Sequence, residues 1–182
     1  MGVACSDPPG YPEEIAARRA EIDAFMRGAA ESPIPAAQRS SFQPLPYYPI
    51  DEQYRVPAAL RVERGDQIIE MSTSTGKPRR MRRIGTLAFT LKGQALTLTA
   101  FAELDDAQLR RLFVPFGDLT SGMDTYQGGR YLDLDLKGSG VYDLDFNRAY
   151  HPYCVFNPEY ECPVPPRENR LKVPILAGER NR

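Results

Sequence analysis

The side chains best suited to chemistry gather in two loop-like stretches. The first runs from Pro115 to Tyr131 and carries Asp118, Thr120, Ser121, Tyr126 and Arg130 among several glycines. The second runs from Leu144 to Asn169 and carries Asp145, Asn147, His151, Tyr153, Cys154, Cys162, Glu168 and Asn169. An arginine in such a place can hold a carboxylate or another anion through charge-assisted hydrogen bonds, and a tyrosine can orient it. Asp118 or Asp145 could act as a general base, with Arg130 stabilising developing charge, if a cavity raised the carboxylate pKa. The competing reading is architectural. Asp, Asn, Ser and Thr in loops mostly cap their own backbone, and a buried polar network can lock a long loop in place.

Other chemistries are excluded or weakly supported. His151 is the one histidine, so a site with two imidazole ligands is ruled out. Thr120-Ser121-Gly122 with Gly128-Gly129 lacks the lysine of a phosphate-binding loop, and a strand rather than a helix follows. Cys154 and Cys162 lie eight positions apart, and His151 is wrongly spaced for a zinc knuckle. They read as two buried thiols in a reducing compartment, with a disulfide across the loop as the oxidising alternative. Cys154 as nucleophile with His151 as base lacks geometric support, because side chains three apart on an extended loop diverge. Asp133 and Asp135 read as the solvated face of a strand. The run Arg79-Arg80-Met81-Arg82-Arg83 reads as a charged edge strand that resists unwanted pairing.

Whole-chain composition narrows the classes. In 182 residues, 23 Lys and Arg nearly balance 24 Asp and Glu, for a net charge of -1. That balance argues against a nucleic-acid binder. No stretch approaches the about 18 apolar residues of a membrane span. A hydrophobic content of 42% excludes wholesale disorder, and 17 prolines with 14 glycines suit a turn-rich β protein.

The elements that must position these residues follow from periodicity. Tyr11 to Arg27 reads as a helix, with Pro12, Glu13 and Glu14 in its first turn and Gly28 ending it. Tyr11, Ile15, Ile22, Phe25 and Met26 mark one face. A Pro-rich connector follows to Pro57, its Phe42, Leu45, Tyr47, Tyr48 and Tyr54 too apolar for a free linker. From Ala58 the period shifts to two. Leu60–Val62 and Ile68–Ser72 read as strands joined by a turn at Arg64-Gly65-Asp66. Pro78–Ile84 is extended. Thr86–Leu91 and Gln94–Phe101 form the clearest hairpin, turning at Lys92-Gly93. A helical turn runs from Asp105 or Asp106 to Arg111. Leu112, Val114 and Phe116 mark another strand. Tyr131–Lys137 points Leu132, Leu134 and Leu136 inward and Tyr131, Asp133 and Asp135 outward. Tyr142, Leu144 and Phe146 answer on the next strand, and Leu171–Leu176 forms the last. The tail from Gly178 to Arg182 is expected to fray.

Seven or eight strands in this span, with no strand–helix alternation, predict a mainly β fold. The prediction is an antiparallel β-barrel or rolled two-layer β-sheet, preceded by one N-terminal helix and a Pro-rich connector. Residues 1–10 are a flexible N-terminus, 11–57 the helix and connector packed on the barrel, and 58–178 the β-rich core with a long C-terminal loop. Met1 to Gly10 shows no charged and apolar signal pattern. Met1-Gly2-Val3-Ala4-Cys5-Ser6 fits a myristoylation pattern formally, and Cys5 would carry the lipid of an exported lipoprotein if a signal had been trimmed. The leading expectation is a cytoplasmic protein.

Two long motifs resemble the family called domain of unknown function 1684. One is Leu112-Phe113-Val114-Pro115-Phe116 with Asp118, Thr120-Ser121-Gly122, Thr125-Tyr126 and Gly128-Gly129-Arg130-Tyr131-Leu132. The other is Leu144-Asp145-Phe146-Asn147-Arg148-Ala149-Tyr150 with Pro152, Cys154, Asn157-Pro158, Cys162-Pro163, Pro165-Pro166, Glu168-Asn169 and Gly178-Glu179. Arg18 or Arg19, Ser32-Pro33 and Tyr54-Arg55-Val56 also fit. The chain departs at His151, where such members often carry Asn. The resemblance implies a mainly bacterial and archaeal origin, which weakens the myristoylation reading and leaves the lipoprotein reading open. It supplies no reaction, cofactor or catalytic residue.

These readings converge on a small polar or anionic organic ligand beside Arg130. Its binding set would be Asp118, Thr120, Tyr126, Arg130, Asp145, Asn147, Tyr153, Glu168 and Asn169. A hydrolase or isomerase using Asp118 or Asp145 is the second reading, and a purely structural cluster the third. No motif calls for a metal or a cofactor. A homodimer is an alternative to the monomer, and a split barrel with flavin at its dimer interface is the fold-level version of it.

Overall fold

The computed structural model describes residues 10–106 and 110–182. Residues 1–9 of the flexible segment expected over 1–10, the lipidation reading of Cys5 and residues 107–109 of the helical turn expected through Arg111 lie outside the described residues. The chain divides into two compact units, Met1–Leu45 and Pro46–Arg182.

The first unit carries α1, Tyr11–Gly28. Pro12 lies in its first turn beside Glu13 and Glu14, which favour the positive end of the helix dipole. Ile15 and Met26 are its buried side chains. Beyond the helix the chain is held by side-chain caps rather than by a ladder. Ser32 Oγ donates to the Met26 carbonyl and accepts the Ile34 N–H. Asp23 accepts the Leu45 N–H at 2.8 Å.

The second unit is one antiparallel sheet in the order β5-β4-β3-β2-β1-β6, nearly closed into a barrel. Its strands are β1 Arg55–Met71, β2 Arg79–Leu91, β3 Gln94–Glu103, β4 Arg111–Phe116, β5 Arg130–Asp135 and β6 Val141–Asp145. Leu87, Leu98, Leu112, Leu144, Phe116 and Phe146 form the centre of its core. Phe146 packs edge-on against Phe116, ring centroids 5.3 Å apart. No helix among the described residues is long and apolar enough to cross a membrane.

Among the described residues six strands replace the seven or eight expected, for two reasons. First, the turn expected at Arg64-Gly65-Asp66 is an irregularity inside one long strand. Val62 pairs Gly85 and Gln67 pairs Arg83, so four residues of β1 stand opposite Ile84 alone. The break expected between Ile84 and Thr86 is likewise absorbed as a bulge in β2. Gly85 is what lets β1 and β2 cross so closely there. A Cβ at that position would lie 2.2 Å from the Arg61 carbonyl oxygen. Second, Leu171–Leu176 is not a strand. It keeps the expected alternation, with Leu171, Val173 and Ile175 buried and Lys172, Pro174 and Leu176 exposed, but its pairing stops at an isolated parallel bridge, with the Leu171 N–H donating to Gly117 at 2.7 Å and the Leu119 N–H to Val173 at 3.3 Å. Pro174 has no N–H to donate.

The clearest predicted hairpin forms, with Lys92 and Gly93 both at positive φ in its two-residue turn. Other expectations need correction. The arginine run lies on β2, between β1 and β3, and is not an edge. Two of its charges are met by carboxylates instead, Arg79 by Glu103 on β3 and Arg83 by Glu63 on β1 and by Glu168. Tyr131 is buried rather than outward, because its hydroxyl donates to the Pro163 carbonyl. Leu136 lies past the end of β5 and is exposed. The tail from Gly178 does not fray. Glu179 is buried, the Arg180 N–H donates to Pro46 at 3.0 Å and the Asn181 N–H to Asp124 at 2.7 Å.

Candidate functional site

Three clusters of polar side chains satisfy backbone groups that the sheet leaves unpaired. The first is Asn169, in the short 3-10 turn Arg167–Asn169. The register Phe101–Phe113 between β3 and β4 places Thr99 opposite Pro115. Pro115 has no N–H, so that rung cannot form directly. Asn169 fills it. Its Oδ1 accepts the Thr99 N–H at 2.7 Å, and its Nδ2 donates to the Thr99 and Pro115 carbonyls at 2.8 and 2.7 Å.

The second is the pair Asp118–Arg130. Arg130 begins β5, directly after Gly129, whose φ is +91°. A Cβ on Gly129 would lie 2.5 Å from the Phe116 carbonyl oxygen. Only glycine lets the chain enter β5 there, which aims Arg130 beneath the carboxy-terminal segment. The guanidinium donates to the carbonyls of Ile175 at 2.8 Å, Glu179 at 3.1 Å and Ala177. The chain bends at Ala177 and Gly178, where Gly178 takes a φ of +80°, and so brings the three carbonyls around one guanidinium. Arg130 Nη2 also meets Asp118 Oδ2 at 3.0 Å. Asp118 Oδ1 accepts the N–H groups of Thr120 at 2.8 Å and Ile175 at 3.3 Å. Thr120 completes the turn through a 2.9 Å contact between its hydroxyl and that of Thr125.

The third is Asn147 with Asp145. Asp145 ends β6 and Asn147 lies in the 3-10 turn that follows, so the two share a buried corner. Asn147 exchanges hydrogen bonds with the Asp51 backbone, accepting its N–H at 3.0 Å and donating to its carbonyl at 2.8 Å. Asp145 Oδ1 accepts the Asn147 N–H at 3.0 Å, and Oδ2 accepts from Arg148 Nε at 3.0 Å.

Of the nine residues expected to bind a ligand, Asp118, Thr120, Arg130, Asp145, Asn147 and Asn169 are buried. Tyr126 and Tyr153 are half-buried and Glu168 is exposed. Glu168 pairs with Arg83 at 2.8 Å. Tyr153 packs edge-on against Tyr160, and burial raises its phenol pKa above the usual value. Among the described residues no group of three or more His, Cys, Asp or Glu could hold a metal ion.

A fourth cluster was only partly foreseen. His151 Nε2 accepts the Tyr126 N–H at 3.2 Å, so the ring proton sits on Nδ1, which donates to Glu179 Oε1 at 3.2 Å. That ring has no lone pair left for Cys154. Beside it, the Cys154 N–H donates to Cys162 Sγ at 3.2 Å, and Cys154 Sγ lies 3.9 Å from the Tyr126 hydroxyl. Both cysteines are free thiols. Ser74 joins them, its Oγ accepting the Cys162 N–H at 3.1 Å. Sequence reading missed Ser74 and Glu179 as members. Ser74 sits in a Thr-Ser-Thr-Gly turn, where a hydroxyl signals only the turn itself, and Glu179 lies in a polar tail.

The comparisons agree with this architecture. Over 93% of both chains, the fold matches the solution NMR structure of an uncharacterized protein from Haloarcula marismortui, with 38% sequence identity and a TM-score of 0.72. No curated protein matches the chain. The family model described as protein of unknown function (DUF1684) matches residues 40–180, which takes in every strand and all four polar clusters, and the chain belongs to that family.

Proposed function

We propose that the polar cluster around Arg130 is a fastening. It would hold the strandless carboxy-terminal segment against the sheet and so build the surface on which the protein acts. One observation carries this reading: the Arg130 side chain is 0% exposed, and both terminal nitrogens are engaged by Asp118 and by three backbone carbonyls. A guanidinium so occupied has no terminal N–H to offer an anion. Asp118 and Asp145 are equally engaged, each oxygen accepting at least one donor, which disfavours either as a general base.

The ligand reading keeps one supporting observation. Arg130 Nε is buried and has no hydrogen-bond partner among the described residues. A buried donor of that kind fits a water or one oxygen of a small polar molecule. Native mass spectrometry of protein from its own host, alongside an Arg130→Met variant, separates the two. The fastening reading expects no small-molecule adduct and a large loss of stability in the variant. A small polar adduct present in the parent and absent in a still-folded variant would overturn it in favour of the ligand.

A further inference from the structure

We propose that Cys154 and Cys162 form a thiol–disulfide exchange site, with Cys154 as the attacking thiol, Cys162 as the resolving thiol and low-molecular-weight disulfides as the substrate class. The proposal does not depend on the role of Arg130.

Three features of the geometry carry it. The two thiols meet although eight positions separate them, because the chain between them folds back through tight turns: Tyr160 N–H to Asn157 and Phe156 N–H to Tyr153. The partners differ in access, Cys154 being half-buried and Cys162 buried. The partners also differ in how they are held. Cys162 is clamped to the turn after β1, where the Ser74 N–H donates to its carbonyl at 2.8 Å and the Val164 N–H donates to Ser72 at 2.7 Å. Cys154 sits in the short 3-10 turn Tyr153–Val155, whose backbone hydrogen bonds run to near neighbours in the chain, Val155 N–H to Pro152 and Phe156 N–H to Tyr153. A more accessible thiol on a locally bonded turn, backed by a buried thiol fixed to a distant segment, is the arrangement that two-step exchange requires.

The surroundings favour a thiolate at Cys154. Its contact with Cys162 is the largest influence, and the hydroxyls of Ser74 and Tyr126 add to it against the opposing effect of burial. Together they bring the Cys154 thiol down to about 6. The same contact, with burial, pushes Cys162 up. The first proton therefore leaves Cys154, and Cys162 stays a thiol until it is needed.

The exchange balances as follows. The Cys154 thiolate attacks one sulfur of R–S–S–R. The Cys154–S–S–R bond forms, the original S–S bond breaks, and RS⁻ leaves. That RS⁻ takes the Cys162 proton. The Cys162 thiolate then attacks Cys154 Sγ, forming the internal disulfide and expelling the second RS⁻, which is protonated by the proton that Cys154 gave to solvent. Two protein thiols are oxidised by two electrons, and one disulfide is reduced to two thiols.

The test uses the full chain with Cys5→Ser, which removes the third thiol, and the aromatic disulfide 5,5′-dithiobis(2-nitrobenzoate) as probe. The expected result is release of two thionitrobenzoates per chain, with a final intact mass lighter by two hydrogens and no retained adduct. Cys162→Ser in that background should release one and retain the other as a mixed disulfide. Cys154→Ser should slow the first release by about tenfold or more. A parent chain that ends with retained adducts on its cysteines, or that does not react, overturns the proposal. The parent mass decides the matter even if a serine variant fails to fold.

Discussion

The side-chain amide of Asn169 makes both backbone hydrogen bonds of Thr99, at 2.7 and 2.8 Å, as a neighbouring strand would. The same amide reaches the Pro115 carbonyl on β4, so one side chain closes a rung that a proline has opened. Replacing Asn169 with Ala should leave two carbonyls and one N–H buried without partners. Each such group costs about 1–3 kcal/mol, and a total loss of about 3 kcal/mol is expected after partial relaxation. Urea unfolding measures it. Amide exchange at Thr99 should accelerate in the same variant, and an unchanged Thr99 amide would contradict the assigned role.

Arg130 and Asp118 form a buried ion pair with side chains 0% and 1% exposed. Removing one partner of such a pair strands the other, at about 3–5 kcal/mol. Arg130→Met should therefore cost that much, plus the ordering of the segment from Ile175 to Glu179. The check is chemical denaturation together with limited proteolysis at the carboxy terminus. Wild-type stability in Arg130→Met would show that the segment is held by its apolar residues alone.

Gly129 combines a positive φ with a carbonyl oxygen 2.5 Å from where a Cβ would be. Gly129→Ala should destabilise by more than about 1 kcal/mol, because both backbone strain and a clash with Phe116 must be relieved. Gly138, which has open space around it, is the control. Gly138→Ala should change the unfolding midpoint little. Equal effects at the two positions would remove the geometric reason given for Gly129.

The pH dependence of Cys154 follows from its lowered pKa. A thiol brought down to about 6 is mostly thiolate at neutral pH. In the Cys5→Ser chain, iodoacetamide should alkylate Cys154 at a rate that rises with pH through about 6 and levels off by neutrality. An ordinary thiol would keep accelerating towards about pH 8.5. Tyr126→Phe removes one hydroxyl donor to the thiolate and should move the midpoint upward. A parent profile still climbing steeply above neutrality would contradict the lowered pKa.

How much was legible in advance depended on the range over which a residue's role is decided. The helix start at Pro12, Glu13 and Glu14 and the hairpin at Lys92-Gly93 depend on neighbours a few positions away, and both form as expected. Strand breaks were less legible. Gly65 carries the signal of a turn, yet β1 runs through it because β2 offers partners on both sides of the irregularity. Leu171 to Leu176 has a strand's alternation, but its backbone bonds to a neighbour are limited to a short run against Gly117 and Leu119, and Pro174 removes one of its donors. In the polar stretches, Asp118, Arg130, Asn147 and Asn169 stood out by residue type, and the structure buries all four. Their partners did not, because those partners are backbone groups such as Ile175, Thr99 and Asp51, which look alike in any sequence.

By itself, then, the sequence determined the amino-terminal helix, the Lys92-Gly93 hairpin, the mainly β class and the family, all of which rest on short-range periodicity or on motif order. Only the tertiary structure decided which way Asp145 and Asn147 face, that Arg130 is occupied by carbonyls from 45 to 49 positions away, and that Cys154 and Cys162 touch. The reason is physical. A side chain's partner is set by which backbone groups the sheet leaves unpaired, and that becomes defined only when strands distant in the chain have come together.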